Sequence, residues 1–169
     1  MARASPDPGN EKRVVWITGA AGGLGRALTA AFAAAGWRVA AAGHSTLPEV
    51  PEAGSDGVWP GRLEVTRADE VEAFCEGILG RWGRLDVLVN NAGVNCERLL
   101  AQTDEAAWDR VMEVNLKGAF LCSRAALGPM RARRDGLILN VASFAARSGP
   151  VGQAAYAASK AACARSRPP

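Results

Sequence analysis

Short apolar runs recur along the chain without the alternation of apolar and polar residues that marks a half-buried strand. Runs of this kind, bounded by glycine, proline or charged residues, predict strands that are buried on both faces. Five such strands are predicted, at residues 14–18, 38–42, 63–65, 86–90 and 137–141.

Most of the intervening segments carry apolar residues at every third or fourth position, which is typical of helices packed on one face. Helices are predicted at residues 24–35, at 67–82, from the polar entry at Thr103 and Asp104 to Gly128 and Pro129, and from Tyr156 to about residue 164. Three prolines, Pro48, Pro51 and Pro60, argue against a crossover helix between the second and third strands.

Strands that alternate with helices form parallel βαβ units, in which helices cover both faces of the sheet. The predicted fold class is therefore α/β, with a doubly wound parallel sheet. Because no repeat or linker divides the chain, we expect one domain over residues 14–164. A disordered N-terminal tail is expected at residues 1–13 and an irregular tail at residues 165–169.

Composition narrows the classes of function. A length of 169 residues with 49% hydrophobic content suits one globular domain. The net charge is only +3 and the basic residues are scattered along the chain, which argues against a nucleic-acid partner. No apolar stretch reaches membrane-spanning length and the N-terminus lacks a signal-peptide core, so we expect a cytoplasmic protein without a membrane partner. Four cysteines without a CxxC pair and a single histidine argue against a metal site.

Glycines follow the first predicted strand and open the first predicted helix, within residues 18–25 (TGAAGGLG). Glycine lets the backbone approach a phosphate closely, and a helix N-terminus presents unpaired N–H groups with partial positive charge. This placement favours a dinucleotide-binding Rossmann-type fold with three αβα layers. The alternative is a tight turn in a protein rich in alanine and glycine.

The spacing TGxxxGxG resembles the cofactor loop of the short-chain dehydrogenase/reductase family. Four further motifs of that family follow in order: NNAG at residues 90–93, Asn115 within VNLKG, Ser143 directly after the fifth strand, and YxxxK from Tyr156 to Lys160. The resemblance implies an oxidoreductase that transfers a hydride between a nicotinamide dinucleotide and a carbonyl or alcohol.

The motif residues fit that chemistry. Tyr156 is the only tyrosine and lies four residues before Lys160, so both share a helix face and the cation favours ionisation of the phenol. Tyr156 would donate a proton, and Ser143 would stabilise the developing charge on the substrate oxygen. By resemblance, Asn115 would hold a water linked to Lys160. Taken singly, each residue also has a purely structural interpretation, as a turn, a helix polar group or a surface contact.

Cofactor choice is predicted from the end of the second strand. In this fold an acidic residue at that place selects NAD, whereas here Gly43, His44 and Ser45 offer a hydroxyl and an imidazole, so NADP(H) is favoured over NAD(H). Glu64 and Val65 stand where the family places an Asp or Asn before Val near the adenine. The cofactor-binding residues implied by the resemblance are Gly19, Ala20, Gly23, Leu24, Gly25, His44, Glu64, Val65, Asn91, Ala92, Gly93, Tyr156 and Lys160.

Residues 91–160 most resemble 3-oxoacyl-[acyl-carrier-protein] reductases, especially at residues 98–100 and 152–156. This likeness implies a 3-oxoacyl thioester substrate and an acyl carrier protein partner. A cluster of basic residues could dock such an acidic carrier, although a solvated helix end is the favoured interpretation. The cluster consists of Arg131, Arg133 and Arg134.

The likeness breaks at residues 163–169, which favours a truncated or frame-shifted chain without the C-terminal strands of the family. In such a chain the strand at residues 137–141 would be an uncovered apolar edge. The homo-oligomer interface of the family would be compromised as well. Two functions stay open: an NADP(H)-dependent reductase of 3-oxoacyl thioesters, and a non-catalytic dinucleotide-binding fragment or interaction protein.

Overall fold

A computed structural model describes residues 12–52 and 57–165. Its five parallel strands form one sheet in the order β3-β2-β1-β4-β5. The strands are β1 (Val14–Thr18), β2 (Arg38–Gly43), β3 (Val58–Arg62), β4 (Val87–Asn90) and β5 (Leu137–Asn140). The helices are α1 (Gly23–Ala34), α2 (Ala68–Trp82), α3 (Glu105–Met112), α4 (Gly118–Arg133), α5 (Ala145–Ser148) and α6 (Ala154–Arg165).

Alternate residues of the inner strands supply two separate cores. Val14 and Trp16 of β1 pack with α2 and α4, whereas Val15 and Ile17 pack with α1. The inner strands are therefore apolar on both faces, because helices cover both faces of the sheet there. The predicted doubly wound α/β fold with three αβα layers is confirmed.

The third strand is not where the sequence placed it. β3 spans Val58–Arg62 and pairs only with β2, while Leu63 and Val65 lie beyond it as buried residues of the following turn. An edge strand tolerates Pro60, which has no N–H to donate to a ladder. The predicted apolar run therefore marked a buried turn rather than a strand. Residues 44–52 contain no helix, in agreement with the prolines of this connection.

The long helical segment after β4 was predicted to end near Gly128 and Pro129, but α4 continues to Arg133. Proline at position 129 cannot donate to the carbonyl oxygen of Ala125. The thiol of Cys75 donates to that oxygen at 3.6 Å, so the carbonyl is not left unpaired. The prediction failed because a side chain from α2 compensates for the lost backbone bond.

Other boundaries differ by small amounts. A π-helical segment, Glu113–Lys117, interrupts the predicted long helix between α3 and α4, and the one-turn helix α5 was not predicted. Helix α6 starts two residues before Tyr156 and includes Arg165, the first residue of the predicted C-terminal tail. The rest of that tail and residues 1–11 of the predicted N-terminal tail lie outside the described residues. No helix of the described chain is long and apolar enough to cross a membrane.

A buried ion pair joins the N-terminal ends of three strands. The Asp86 carboxylate accepts hydrogen bonds from the Val14 N–H at 2.8 Å and from Arg84 Nε at 2.9 Å, and its other oxygen lies 2.6 Å from Arg84 Nη2. The Leu137 N–H donates to the Asp86 carbonyl oxygen. Burial opposes ionisation of Asp86, but these hydrogen bonds and the charges of Arg84 and Arg133 outweigh it and lower its pKa.

Replacing Asp86 by Asn is expected to destabilise the fold by about 3–5 kcal/mol, because it removes the buried carboxylate that pairs with the Arg84 guanidinium. Since the pKa of Asp86 is lowered in the folded state, its contribution is present above the ordinary carboxyl pKa and is lost as the pH falls through the folded value. Urea unfolding at neutral and acidic pH measures both effects.

The control is Glu72→Gln, which removes an exposed ion pair with Arg124. Exposed pairs contribute little, so this variant should unfold close to the parent midpoint. Equal stability of the Asp86→Asn and Glu72→Gln variants would contradict the assigned role of Asp86.

Candidate active site

The turn between β1 and α1 is shaped by contacts that exclude side chains. Gly19 has φ +63°, and a Cβ on it would lie 2.8 Å from the Ala92 Cα. A Cβ on Gly25 would lie 2.6 Å from the Ala20 Cα and would also meet the Gly19 carbonyl oxygen. The glycines at these two positions therefore bring the turn against both the first helix and the loop after β4.

The N-terminus of α1 is uncapped by any side chain, and its first turn holds no acidic residue. Gly22 is the extended residue before the helix, and its carbonyl oxygen accepts the first helical bond, from the Arg26 N–H at 2.8 Å. The N–H groups of residues 23–25 consequently have no partner within the helix. Such a terminus attracts an anion, because its free N–H groups and the helix dipole act together.

The NNAG loop braces the glycine turn through hydrogen bonds. The Thr18 hydroxyl accepts from the N–H groups of Asn91 and Ala92, both at 3.0 Å. The Asn91 side chain donates to the carbonyl oxygens of Thr18 at 2.9 Å and Gly19 at 3.0 Å. The ends of β1 and β4 are thus fixed relative to each other, and the space above them is open.

That space is a cleft of about 480 Å³ at the carboxyl edge of the sheet. Most of the residues predicted to bind a cofactor line it: Gly19, Gly23, Leu24, Gly25, His44, Asn91, Ala92 and Gly93. Ala20 does not line it, since it is fully buried and its N–H donates to the Ala42 carbonyl oxygen at 2.8 Å. The other lining residues were not in the predicted cofactor-binding set, although the cofactor-choice prediction had named the first and last residue of the 43–45 segment. They are Ala21, Gly22, Arg26, Gly43, Ser45 and Thr46.

A smaller cavity of about 130 Å³ adjoins the cleft and shares Gly19, His44, Ala92 and Gly93 with it. Glu64 and Val65 line this cavity, as does Arg110 of α3. His44 Nε2 lies 2.9 Å from Glu64 Oε2. His44, which was predicted to influence cofactor choice, therefore contacts Glu64, which was predicted to lie near the adenine.

Asn115 lies in the π-helical segment and is almost fully buried. Its side chain accepts from the Val94 N–H at 2.8 Å and donates to the Val94 carbonyl oxygen and to the Ser159 hydroxyl, both at 3.0 Å. The Cys163 thiol donates to the Asn115 carbonyl oxygen. Asn115 thus joins the loop after β4 to α6, the helix that carries Tyr156 and Lys160.

Lys160 is 4% exposed, and its ammonium donates to the Val141 carbonyl oxygen at 2.8 Å. A Cβ on Gly93 would lie 3.5 Å from Lys160 Nζ, so the ammonium borders the wall of the cleft. Burial lowers the pKa of Lys160, an effect that the nearby Cys163 opposes in part. The Tyr156 ring centre lies 5.9 Å from Lys160 Nζ.

The Tyr156 side chain is half-buried, and its hydroxyl bonds to no side chain or backbone group in the described part of the chain. Ser143 lies between β5 and α5, and its hydroxyl accepts from the Ala145 N–H at 3.2 Å. The structure thus places Asn115 and Lys160 next to the NNAG loop, since a Cβ on Gly93 would lie 3.2 Å from Asn115 Oδ1 and 3.5 Å from Lys160 Nζ. Among the described contacts, no hydrogen bond joins Ser143 to Tyr156.

Three polar residues that the sequence analysis did not single out hold α6 in place. The Ser159 hydroxyl donates to the Tyr156 carbonyl oxygen at 2.8 Å, and the Asn140 side chain donates to the Cys163 carbonyl oxygen at 3.3 Å. Ser159 and Cys163 lie four residues apart on either side of Lys160, and this helical spacing could have predicted that they share one face of α6. Asn140 gave no such signal, because its pairing with Asn90 across β4 and β5 needs the sheet.

This geometry defines a protein of the dinucleotide-binding fold class, with a Tyr-Lys helix near its glycine turn. The family of short chain dehydrogenases matches residues 13–165, and the chain belongs to that family. Its fold is also that of a solved metagenomic short-chain oxidoreductase in complex with NADP, with a TM-score of 0.82 and 32% identity, covering 91% of this chain and 72% of the other.

Curated relatives share the name 3-oxoacyl-[acyl-carrier-protein] reductase. The Thermotoga maritima protein is 41% identical over 156 residues, covering 89% of this chain and 63% of the relative. The Staphylococcus aureus protein is 40% identical, covering 86% and 61%, and the Synechocystis protein is 35% identical, covering 88% and 63%. The chain therefore spans less than two thirds of the length of these relatives.

Replacing Gly25 by Ala should destabilise the protein by about 1–3 kcal/mol, the usual cost of forcing extra atoms into a packed site. The added methyl group would overlap the Gly19 carbonyl oxygen and the Ala20 Cα, which are backbone atoms that cannot rotate away. Thermal and urea unfolding measure the loss.

The matched control is Gly80→Ala in α2, where an added Cβ would meet no atom within 4 Å. This substitution should leave stability unchanged or raise it by about 0.5–1 kcal/mol, because alanine favours helix. If both variants were as stable as the parent, the close approach at the glycine turn would be refuted.

Proposed function

We propose that this protein is an NADP(H)-dependent carbonyl reductase whose substrate is a 3-oxoacyl thioester. The observation that carries the proposal is the buried Lys160 ammonium, held by the Val141 carbonyl oxygen at the wall of a cleft that ends on an uncapped helix N-terminus. The helix N-terminus would bind the phosphates of a dinucleotide, and the buried ammonium would place a positive charge near the reacting groups. Both features suit hydride transfer between a dinucleotide and a carbonyl.

The residues of the cleft fit a dinucleotide. The pyrophosphate would lie on the free N–H groups of residues 23–25, where glycine leaves the approach open: a Cβ on Gly23 would meet nothing within 4 Å. The smaller cavity beside His44, Glu64 and Val65 would take the adenosine end. When bound, the nicotinamide supplies or accepts the hydride, and the protein supplies position and charge.

NADP(H) rather than NAD(H) is the proposed cofactor, on account of the groups around the end of β2. No carboxylate closes that strand, and Arg26, His44, Ser45 and Thr46 line the cleft there. Arg26 and His44 can carry positive charge, although Arg26 also lies 3.4 Å from Glu49 and His44 contacts Glu64. A 2′-phosphate would find cationic and hydroxyl donors where NAD-selective proteins place a carboxylate.

Tyr156 is the proposed proton donor to the substrate oxygen. Its hydroxyl has no protein partner in the described chain and is free to meet a substrate oxygen, and the Lys160 ammonium lies 5.9 Å from the centre of its ring. Because the pKa of Lys160 is lowered, this charge is lost at a lower pH than that of an exposed lysine. Ser143 would donate a second hydrogen bond to the oxygen as charge develops.

Asn115 would support proton return and the geometry of α6. Both amide hydrogens of its side chain are used, for the Val94 carbonyl oxygen and the Ser159 hydroxyl, whereas Oδ1 accepts one bond from the Val94 N–H and the backbone oxygen accepts one from the Cys163 thiol. Each of these two oxygens has two lone pairs, so each keeps one acceptor site for a water. This assignment makes Asn115 a positioning residue for α6 that can also hold a water.

The substrate and partner follow from the names of the relatives. Proteins that share 35–41% identity with this chain are called 3-oxoacyl-[acyl-carrier-protein] reductases. An acyl carrier protein is accordingly the proposed partner, with Arg131, Arg133 and Arg134 as the basic end of α4 that would meet it. Arg133 also lies 3.9 Å from the Asp86 carboxylate, so its charge additionally stabilises the buried ion pair of Asp86. A cytoplasmic location is proposed with it, since the four cysteines are all free thiols.

Tyr156→Phe is expected to lower the rate of NADPH oxidation with a 3-oxoacyl thioester by about 10²–10⁴-fold, since it removes the general acid. The binding of NADPH, followed by quenching of its fluorescence, should be retained. The phenylalanine keeps the ring against Lys160 and changes only the hydroxyl.

A parent protein that binds NADPH but shows no turnover with any 3-oxoacyl thioester would overturn the reductase proposal. It would favour the second candidate, a dinucleotide-binding protein without catalysis. The exposed apolar edge favours that candidate, since Leu137 and Leu139 of β5 are 51% and 42% exposed.

His44→Asp should reverse the cofactor preference. The new carboxylate would repel a 2′-phosphate and accept hydrogen bonds from ribose hydroxyls, so we expect roughly tenfold weaker binding of NADPH and tighter binding of NADH. Calorimetric titration with each cofactor measures the change. His44→Asn is the control that removes the imidazole without adding charge, and an unchanged NADPH affinity in the Asp variant would refute the assignment.

A further inference from the structure

Among the residues that the structure describes, one arginine lines the cofactor cleft. Arg26 lies on the first turn of α1, directly after the glycine turn. A guanidinium keeps its positive charge at every physiological pH, whereas the imidazole of His44 is charged only when it is protonated. A phosphate bound at this end of the cleft would therefore depend on Arg26 for its charge-assisted hydrogen bonds.

The Arg26 side chain is held by two contacts. Its Nε donates to the Ala21 carbonyl oxygen at 2.9 Å, which ties the guanidinium to the glycine turn. Its Nη1 lies 3.4 Å from Glu49 Oε1. A guanidinium has five N–H donors, so some remain for a ligand. Its positive charge, however, is offset by the nearby carboxylate.

Glu49 belongs to the irregular segment after β2, and packing fixes this segment against the strand. Pro48 is buried, and a Cβ on Gly43 would lie 3.0 Å from the Pro48 Cδ and would overlap the Thr46 carbonyl oxygen. Pro51 follows Glu49 after one further residue, so prolines restrict the backbone on both sides. The backbone of Glu49 is thus held beside α1, although its side chain is 75% exposed.

The Glu49 side chain does not line the cleft. The lining of the cleft includes Arg26 and residues 43–46, and the carboxylate lies behind the guanidinium. Glu49 can therefore act on a bound ligand only through charge, because it offsets Arg26 and repels an anion bound beside it. Exposed charges interact weakly in water, so the effect is small and decreases with added salt.

The other cationic group of the described cleft lining is paired in the same way. His44 Nε2 lies 2.9 Å from Glu64 Oε2. The second oxygen of Glu64 accepts from the Thr66 N–H at 3.2 Å, so the backbone holds this carboxylate in place. A 2′-phosphate at the end of β2 would thus meet two cations whose charges are already offset by carboxylates of the chain.

We propose that Glu49 sets the cofactor selectivity of this protein by neutralising Arg26, so that NADP(H) is preferred over NAD(H) by only a small margin. The inference rests on the proposed NADP(H)-dependent function. It makes Glu49 a positioning residue that acts through Arg26 and touches neither cofactor nor substrate. The two cofactors differ only in the 2′-phosphate, so the charge of Glu49 affects the binding of NADPH and not that of NADH.

Calorimetric titration of the full chain with NADPH and with NADH tests the proposal. Glu49→Gln should tighten the binding of NADPH roughly two- to fivefold, the range expected for an exposed ion pair, and leave the binding of NADH unchanged. Glu49→Asp keeps the charge and should keep the selectivity of the parent. Glu52→Gln is the matched control, because it removes a charge from the same segment without changing the pair of Arg26 and Glu49.

Salt provides a second readout that a change in the shape of the segment would not give. Charges interact over roughly 30 Å at 0.01 M ionic strength and over roughly 3 Å at 1 M. The gain in NADPH affinity of Glu49→Gln over the parent should therefore be largest at low salt and vanish near 1 M. A gain that persists at 1 M salt would contradict the electrostatic role of Glu49.

The titrations separate the role of Glu49 from the function on which it rests. A parent that binds NADPH, together with a Glu49→Gln variant whose NADPH affinity is unchanged or weaker, would refute the role of Glu49 and leave the cofactor proposal standing. Equal tightening of NADPH and NADH would refute it as well, because the substitution would then act on the shape of the cleft. A parent that binds no NADPH would refute the proposed cofactor and this inference with it.

Discussion

The contact between the glycine turn after β1 and the NNAG loop after β4 is the constraint on which the site depends. A Cβ on Gly19 would lie only 2.8 Å from the Cα of Ala92, so no side chain fits at position 19. The Thr18 hydroxyl and the Asn91 side chain fix this approach with hydrogen bonds between the two segments. Because of that contact the turn opens away from the loop, and the first turn of α1 faces the cleft with its N–H groups free.

The same loop leads to the buried polar network that holds α6. From Val94 the hydrogen bonds pass to Asn115, then to Ser159 and the backbone of Tyr156. Buried polar groups of this kind are stable only when their partners are in place, so the network fixes α6 relative to the loop. Lys160 is thereby held against the wall of the cofactor cleft. The cleft and the catalytic helix are thus two ends of one connected structure.

Most of the fold was predictable because helices cover both faces of the inner strands. β1 and β4 read as continuous apolar runs for this reason, and β5 does so too, although it is an edge strand whose leucines are partly exposed; the predicted bounds of all three agree with the structure within one residue. β3 was misplaced because an edge strand is only half-buried and can contain Pro60. α4 continues past Pro129, where the Cys75 thiol of α2 donates to the Ala125 carbonyl oxygen that the proline leaves without a backbone donor. This contact joins two distant helices, so the local sequence of α4 does not predict it.

The sequence by itself determined the residue types and their order: glycines where the backbone must approach closely, and Tyr156 and Lys160 one helical turn apart. These follow from local geometry, so spacing is enough to find them. Only the tertiary structure decided which side chains meet, such as His44 with Glu64 and Arg26 with Glu49. The physical reason is that these contacts join segments far apart in the chain, and their distances are set by the sheet and the packing of helices on it.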